Sequence, residues 1–125
     1  MNRVKISLEF KVRSTPTVLY NFLSTPSGLA QWFADHVDNH EKDYSFFWDG
    51  HEETGVVLDT EENVFIRYKM EENEDDEYLE FRITKSEVTG DTILLVTDFA
   101  DDDEVEDQKQ LWSTQIDALI ASVGG

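Results

Sequence analysis

Residues 4–33 read VKISLEFKVRSTPTVLYNFLSTPSGLAQWF, and the apolar period changes partway along. Val4, Ile6, Leu8, Phe10 and Val12 alternate with Lys5, Ser7, Glu9, Lys11 and Arg13. A period of two predicts a strand with one buried face. The register is strongly set, because a slip of one residue would turn the charged side chains inward. Thr15-Pro16 then offers an N-cap followed by proline in the first helical position. Val18, Leu19, Phe22 and Leu23 follow at helical spacing. Thr25-Pro26 repeats the start signal, and Leu29, Trp32 and Phe33 fall on one helical face. Pro26 cannot continue the first helix, so two short helices meet at an angle.

Downstream the period returns to two. His36 to Asp38 reads as a short strand, and Tyr44, Phe46 and Trp48 mark the next, closed by the turn residues Asp49-Gly50. Thr54, Val56 and Leu58 mark another. Val64, Ile66, Tyr68 and Met70 follow, with Phe65, Arg67 and Lys69 on the opposite face. Leu79, Phe81 and Ile83 alternate with Glu80, Arg82 and Thr84, and Thr92 to Phe99 completes the strands after a turn at Gly90-Asp91. The last segment places Trp112, Ile116, Leu119, Ile120 and Val123 at helical spacing, with Gly124 as its C-terminal cap. Glu71 to Glu77 and Asp101 to Asp107 are almost wholly acidic and read as loops, the second supplying caps for the last helix. The order predicts one α+β domain over residues 1–125. A seven-stranded antiparallel sheet carries two short helices after its first strand and a long C-terminal helix across its concave face.

Composition narrows the function classes. Asp and Glu number 28 against 10 Lys and Arg, a net charge of -18. Such a polyanion disfavours nucleic acid and anionic membrane surfaces. Its self-repulsion opposes tight self-association, so a monomer is expected. Basic proteins, cationic ligands and metal ions stay open as partners. The chain has no cysteine, which excludes disulfides and thiolate chemistry. No signal peptide is visible, and no window approaches ~18 consecutive apolar residues. A cytoplasmic location without membrane insertion is expected.

Three segments carry a family resemblance. Leu29-Ala30-Gln31-Trp32-Phe33-Ala34 ends the second helix. Tyr44-Ser45-Phe46-Phe47-Trp48-Asp49-Gly50 leads into Glu53-Thr54-Gly55-Val56-Val57. Thr97-Asp98-Phe99 precedes the helical Trp112. In this order they resemble the START-like proteins related to the activator of Hsp90 ATPase, over nearly the whole chain. The resemblance implies the helix-grip fold, with a pocket between the sheet and the terminal helix. Members of that superfamily include lipid and hormone carriers, polyketide cyclases and co-chaperones. Fold alone does not choose among these tasks. The two acidic blocks depart from the family pattern.

The residues then divide into candidates. Trp32, Phe46, Trp48, Tyr68, Phe81, Trp112 and Ile116 are the candidate lining of a ligand cavity, with Tyr68 and Trp112 facing it. The competing reading is a filled aromatic core. His36 and His40 have the spacing of a metal pair on a helix but lie in a loop or strand, which removes the significance of the spacing. His51-Glu52-Glu53-Thr54-Gly55 starts like a zinc-protease motif, but Gly55 stands where the second histidine belongs. The acidic run from Asp98 or Asp101 lacks the Gly and Glu of a calcium loop. Asp98 is an unusual carboxylate for a strand. It is expected either to pair outward with Arg67 or Arg82 or to act as a pocket acid beside Tyr68. No acid/base pair stands out, so no catalytic residue, metal site or cofactor is assigned. The leading expectation is noncatalytic binding of a small hydrophobic or amphipathic molecule between sheet and helix. The alternatives are a co-chaperone-like module meeting a basic protein through its acidic surface, or a polyketide-cyclase-like enzyme.

Overall fold

The computed structural model describes residues 2–124. Its elements run β1 (Arg3–Lys11), α1 (Pro16–Ser24), α2 (Pro26–Leu29), β2 (His36–His40), β3 (Asp43–Trp48), β4 (His51–Glu61), β5 (Phe65–Met70), β6 (Leu79–Lys85), β7 (Thr92–Asp101), a 3₁₀ turn (Asp102–Glu104) and α3 (Val105–Ser122). This is the α+β helix-grip arrangement. The strands form one seven-stranded sheet in the order β1-β7-β6-β5-β4-β3-β2, antiparallel throughout. The two helices after β1 carry the chain from one edge of the sheet to the other.

Both helix starts follow the threonine-proline signal. Thr15 Oγ1 accepts from the Val18 N–H at 3.2 Å, and Thr25 Oγ1 accepts from the Gly28 N–H at 3.0 Å. These bonds satisfy donors that a first helical turn leaves free. Gly28 is required by the tight junction. A Cβ there would lie 2.2 Å from Asn21 O and 2.7 Å from Phe22 Cα, both backbone atoms. The second helix is shorter than its apolar pattern predicts. It ends at Leu29, and Trp32 and Phe33 sit in the turn beyond it. Leu29 O accepts from Phe33 N at 2.8 Å and also from Ala34 N at 3.3 Å, so the last carbonyl closes the turn. Trp32 Nε1 donates to Phe22 O at 2.8 Å and fastens this turn to α1.

The long strand β4 differs from expectation in the face it buries. Thr54, Val56 and Leu58 mark the strand in the sequence, yet Val56 is 43% and Leu58 50% exposed. The inward row is His51, Glu53, Gly55 and Val57, opposite Trp48, Phe46 and Tyr44 of β3 at the first three positions. A bulge between Val57 and Asp59 shifts the register on the β5 side, a device that bends a strand. Gly55 is glycine for a packing reason. A Cβ there would lie 2.8 Å from Met70 Sδ and 3.3 Å from the Phe46 ring.

The second acidic block is not a loop. It supplies the last residue of β7, the 3₁₀ turn and the first turn of α3. No side-chain cap forms at Asp101 or Glu104. Instead Glu106 and Asp107 in the first turn of α3 suit the positive end of the helix dipole. Trp112, Ile116 and Leu119 turn inward from α3. They join one core cluster with Leu19, Leu23, Phe46, Tyr68, Phe81, Leu94 and Val96. No described helix is long and apolar enough to cross a membrane.

Candidate functional site

A cleft of about 420 Å3 opens where α3 crosses the ends of the strands. One wall is apolar: Phe33 from the turn after α2, Trp48 from β3, Leu79 from β6, and Leu111 and Trp112 from α3. The opposite end is carboxylate: Glu53 from β4, Glu72 from the β5–β6 loop and Asp98 from β7. Met70, His51, Gln108 and Gln115 complete the lining, which holds no lysine or arginine. The volume lies within the range of small-molecule sites, roughly 300–1,000 Å3.

The aromatic wall is held rigidly. Trp48 Nε1 donates to Phe33 O at 2.7 Å. Phe33 in turn stacks on Trp112 at 6.1 Å between centroids and 19° between planes. Trp112 Nε1 donates to Asp98 Oδ2 at 2.8 Å, and Gln108 Nε2 reaches the same oxygen at 2.9 Å. Asp98 is therefore a cleft carboxylate oriented by two donors from α3. It makes no outward pair, since Arg67 and Arg82 are taken by Glu80 at 2.6 and 3.2 Å. It is not joined to Tyr68 either, because the Tyr68 hydroxyl donates to Leu23 O at 2.8 Å beneath α1. An aspartate inside a strand pattern was a visible anomaly. Its partners were not visible, because they come from a later helix.

Glu53 is the group that the sequence pattern concealed. It lies on the inward row of β4, opposite Phe46, and its Oε2 is buried with no hydrogen-bond partner. Burial, first, and then the facing Glu72, with Glu71 and Asp98 adding repulsion, push its carboxyl up to about 7. Two signals pointed to it: the inward alternation His51-Glu53-Gly55 and the resemblance segment beginning at Glu53. The apolar Val56 and Leu58 on the other face masked both.

Of the seven candidate lining residues, the structure puts Trp48 and Trp112 at this cleft. Phe46, Phe81 and Ile116 are fully enclosed, and Tyr68 is 1% exposed. Phe81 packs edge-on against Trp32 at 5.6 Å and Trp112 at 5.8 Å, while Phe46 stacks on Tyr44 and Trp48. Trp32 lies on the far side of the α2 turn, by a shallow groove shared with Gln115 and Ala118. His36 and His40 occupy the exposed edge strand β2, and His36 Nε2 meets Asp38 Oδ1 at 3.2 Å. Residues four apart on a strand are separated by about 13 Å, too far to share an ion. Among the described residues, Asp101, Asp103 and Glu104 bring carboxylate oxygens within 4.8 Å of one another. All three belong to the acidic block, and two of them are exposed.

The comparisons agree with this architecture. The START-like superfamily domain profile matches residues 1–125. The chain is 35% identical to BfR322 from Bacteroides fragilis, solved in solution, with a TM-score of 0.69 over 98% of this chain and 92% of that one. The Aha1 dimer from Colwellia psychrerythraea is 16% identical, with a TM-score of 0.80 over 96% of each chain. The AHSA1-like protein from Aeromonas hydrophila is 16% identical, with a TM-score of 0.76 over 97% of this chain and 92% of that one. No curated protein matches the chain.

Proposed function

Because the chain belongs to the START-like superfamily, we propose that it holds a small hydrophobic or amphipathic molecule in the cleft under α3, without catalysing a reaction. The observation carrying this reading is the apolar wall of Phe33, Trp48, Leu111 and Trp112 around about 420 Å3. Burying a guest's apolar surface there contributes roughly 25 cal/mol per Å2 before the costs of association. Trp48 and Trp112 are the proposed contacts. Phe46, Phe81 and Ile116 act as the packed floor that keeps both indoles in place. Asp98, engaged by Trp112 and Gln108, orients the wall and is not assigned a proton-transfer role. The proposed setting is a cytoplasmic monomer. The net charge of -18 supports the monomer at low salt.

Mass spectrometry of protein purified gently from its own host tests the reading. A stoichiometric small molecule present in the native spectrum and released on denaturation is expected. A guest-free mass, together with no shift of either cleft indole on titration with apolar probes, would remove the reading.

A second reading rests on a separate observation. Arg3 joins the two acidic blocks, reaching Glu77 at 2.7 Å, Glu74 at 3.5 Å and Asp101 at 3.2 Å. They therefore form one acidic face beside the cleft, suited to a basic protein as in a co-chaperone-like module. Such binding, spread over many exposed charges, would weaken far more steeply with salt than binding in the cleft.

A further inference from the structure

We infer that the cleft selects an amphipathic amine, its apolar body against Trp48, Leu111 and Trp112 and its ammonium group at the Glu53–Glu72 end. This rests on the binding role proposed above and adds the chemical class of the guest.

The cleft is divided by charge. Its aromatic half offers ring faces, which attract a cation as well as an apolar body. Its other half presents Glu53, Glu72 and Asp98, with Glu71 close behind; the lining includes His51 but no lysine or arginine. The two buried carboxylates elsewhere, Glu77 and Glu80, are neutralised from within. Glu80 has two arginines, and Glu77 has Arg3. Here no lysine or arginine of the lining supplies a countercharge. Asp98 Oδ2 already takes two donors, but Glu53 Oε2 takes none. Buried polar atoms without a partner are rare and costly. Burial first, and then Glu72, Glu71 and Asp98, favour a proton on Glu53, a positive charge at this end of the cleft. A guest ammonium would supply it without that proton. A neutral guest leaves the carboxylates unmatched, and an anionic guest meets repulsion from all of them. An amine with an N–H also donates hydrogen bonds, which a quaternary ammonium does not.

Three probes of one shape separate charge from size: 1-naphthylmethylamine, 1-naphthalenemethanol and 1-naphthoate. Each is titrated at pH 8 and physiological salt, following the indole N–H signals of Trp48 and Trp112 by NMR. The amine is expected to bind at least about tenfold more tightly than the alcohol, with the carboxylate weakest. Glu53→Gln, nearly equal in shape, should close most of that gap. Glu72→Gln should narrow it too, and serves if the first variant folds poorly. Asp38→Asn removes the same charge from the exposed edge strand and should leave the gap intact. Equal binding of amine and alcohol, or a gap closed equally by Asp38→Asn, overturns the amine assignment while the cleft keeps its binding role. If no probe moves either indole, both the assignment and that role fall.

Discussion

Glu53 and Glu80 are the same side chain on opposite faces of one sheet, and their surroundings drive them in opposite directions. Glu80, on the convex face, is 7% exposed and accepts from Arg67 and Arg82. Burial works to raise its carboxyl, but the hydrogen bonds from Arg82 and Arg67 prevail and hold it below the usual range. The arginines are themselves placed by rings: Arg82 lies 4.3 Å from the Phe65 centroid and Arg67 4.7 Å from that of Tyr78. Glu53, on the concave face, meets only other carboxylates and rises to about 7. Burying a carboxylate is therefore not what distinguishes the two. The difference is whether the fold provides the countercharge: it does so for Glu80 and not for Glu53.

The comparison breaks most visibly at Glu80. Glu80→Ala strands two arginines on the convex face and should cost about 2 kcal/mol, discounted because both arginines are partly exposed. Urea denaturation at pH 7 measures it, and no loss would mean that the triad is only surface decoration. The sign with pH follows. Glu80 has a lowered folded pKa, so its stabilisation is present above the unfolded value of 4.5 and is lost as pH falls through the folded value.

Tyr68→Phe asks whether the concave face is packed below the indoles. Removing the hydroxyl leaves Leu23 O unpaired under α1 and should cost about 1.5 kcal/mol while leaving probe affinity in the cleft unchanged. An affinity loss without a stability loss would extend the cleft inward to Tyr68.

Glu53→Gln should do the reverse of Glu80→Ala. The Glu53 carboxyl has a raised folded pKa, so its contribution is fully present below 4.5 and lost as pH rises through about 7. The amide variant should gain about 1 kcal/mol over the parent at pH 8, after discounting for partial exposure, and nothing near pH 4. Thermal unfolding at the two pH values tests this, and a loss at pH 8 would show that Glu53 has a structural partner. The smallest effect belongs to Asp38→Asn on the edge strand, within roughly 0.5 kcal/mol by the same unfolding. A larger shift would indicate that bulk charge, and not local pairing, governs the contrast.

The fold was legible because its signals are local and repeated. The alternation in β1, the two threonine-proline starts and the helical spacing of Trp112, Ile116 and Leu119 each depend on nearby residues. The cleft was legible only in part. Trp48 and Trp112 stood out as large aromatics on the correct faces. Phe33 was visible too, but as a helix-face residue, since the early end of α2 depends on how Leu29 O shares its donors. Glu53 was hidden because β4 carries apolar residues outward and its inward glycine reflects contact with Met70 on the neighbouring strand. Tyr68 looked like a pocket hydroxyl because its acceptor, the Leu23 carbonyl, belongs to a helix far away in sequence. Period reports the face a residue takes; it does not report which distant group will meet it there.

The edge pairing of β1 with β7, from Arg3 opposite Asp101 to Lys11 opposite Ile93, has a consequence for synthesis of the chain. Of the seven strands, β1 is made first and its partner β7 last. Until β7 emerges, β1 offers a row of unpaired backbone groups and an apolar side to any other strand in reach. The sheet can grow by neighbouring hairpins from β2 to β7, but it is complete only when β1 meets β7. The first strand must therefore wait for the last, and its outward row of Arg3, Lys5, Glu9 and Lys11 is the kind of charged face that discourages pairing with other strands meanwhile.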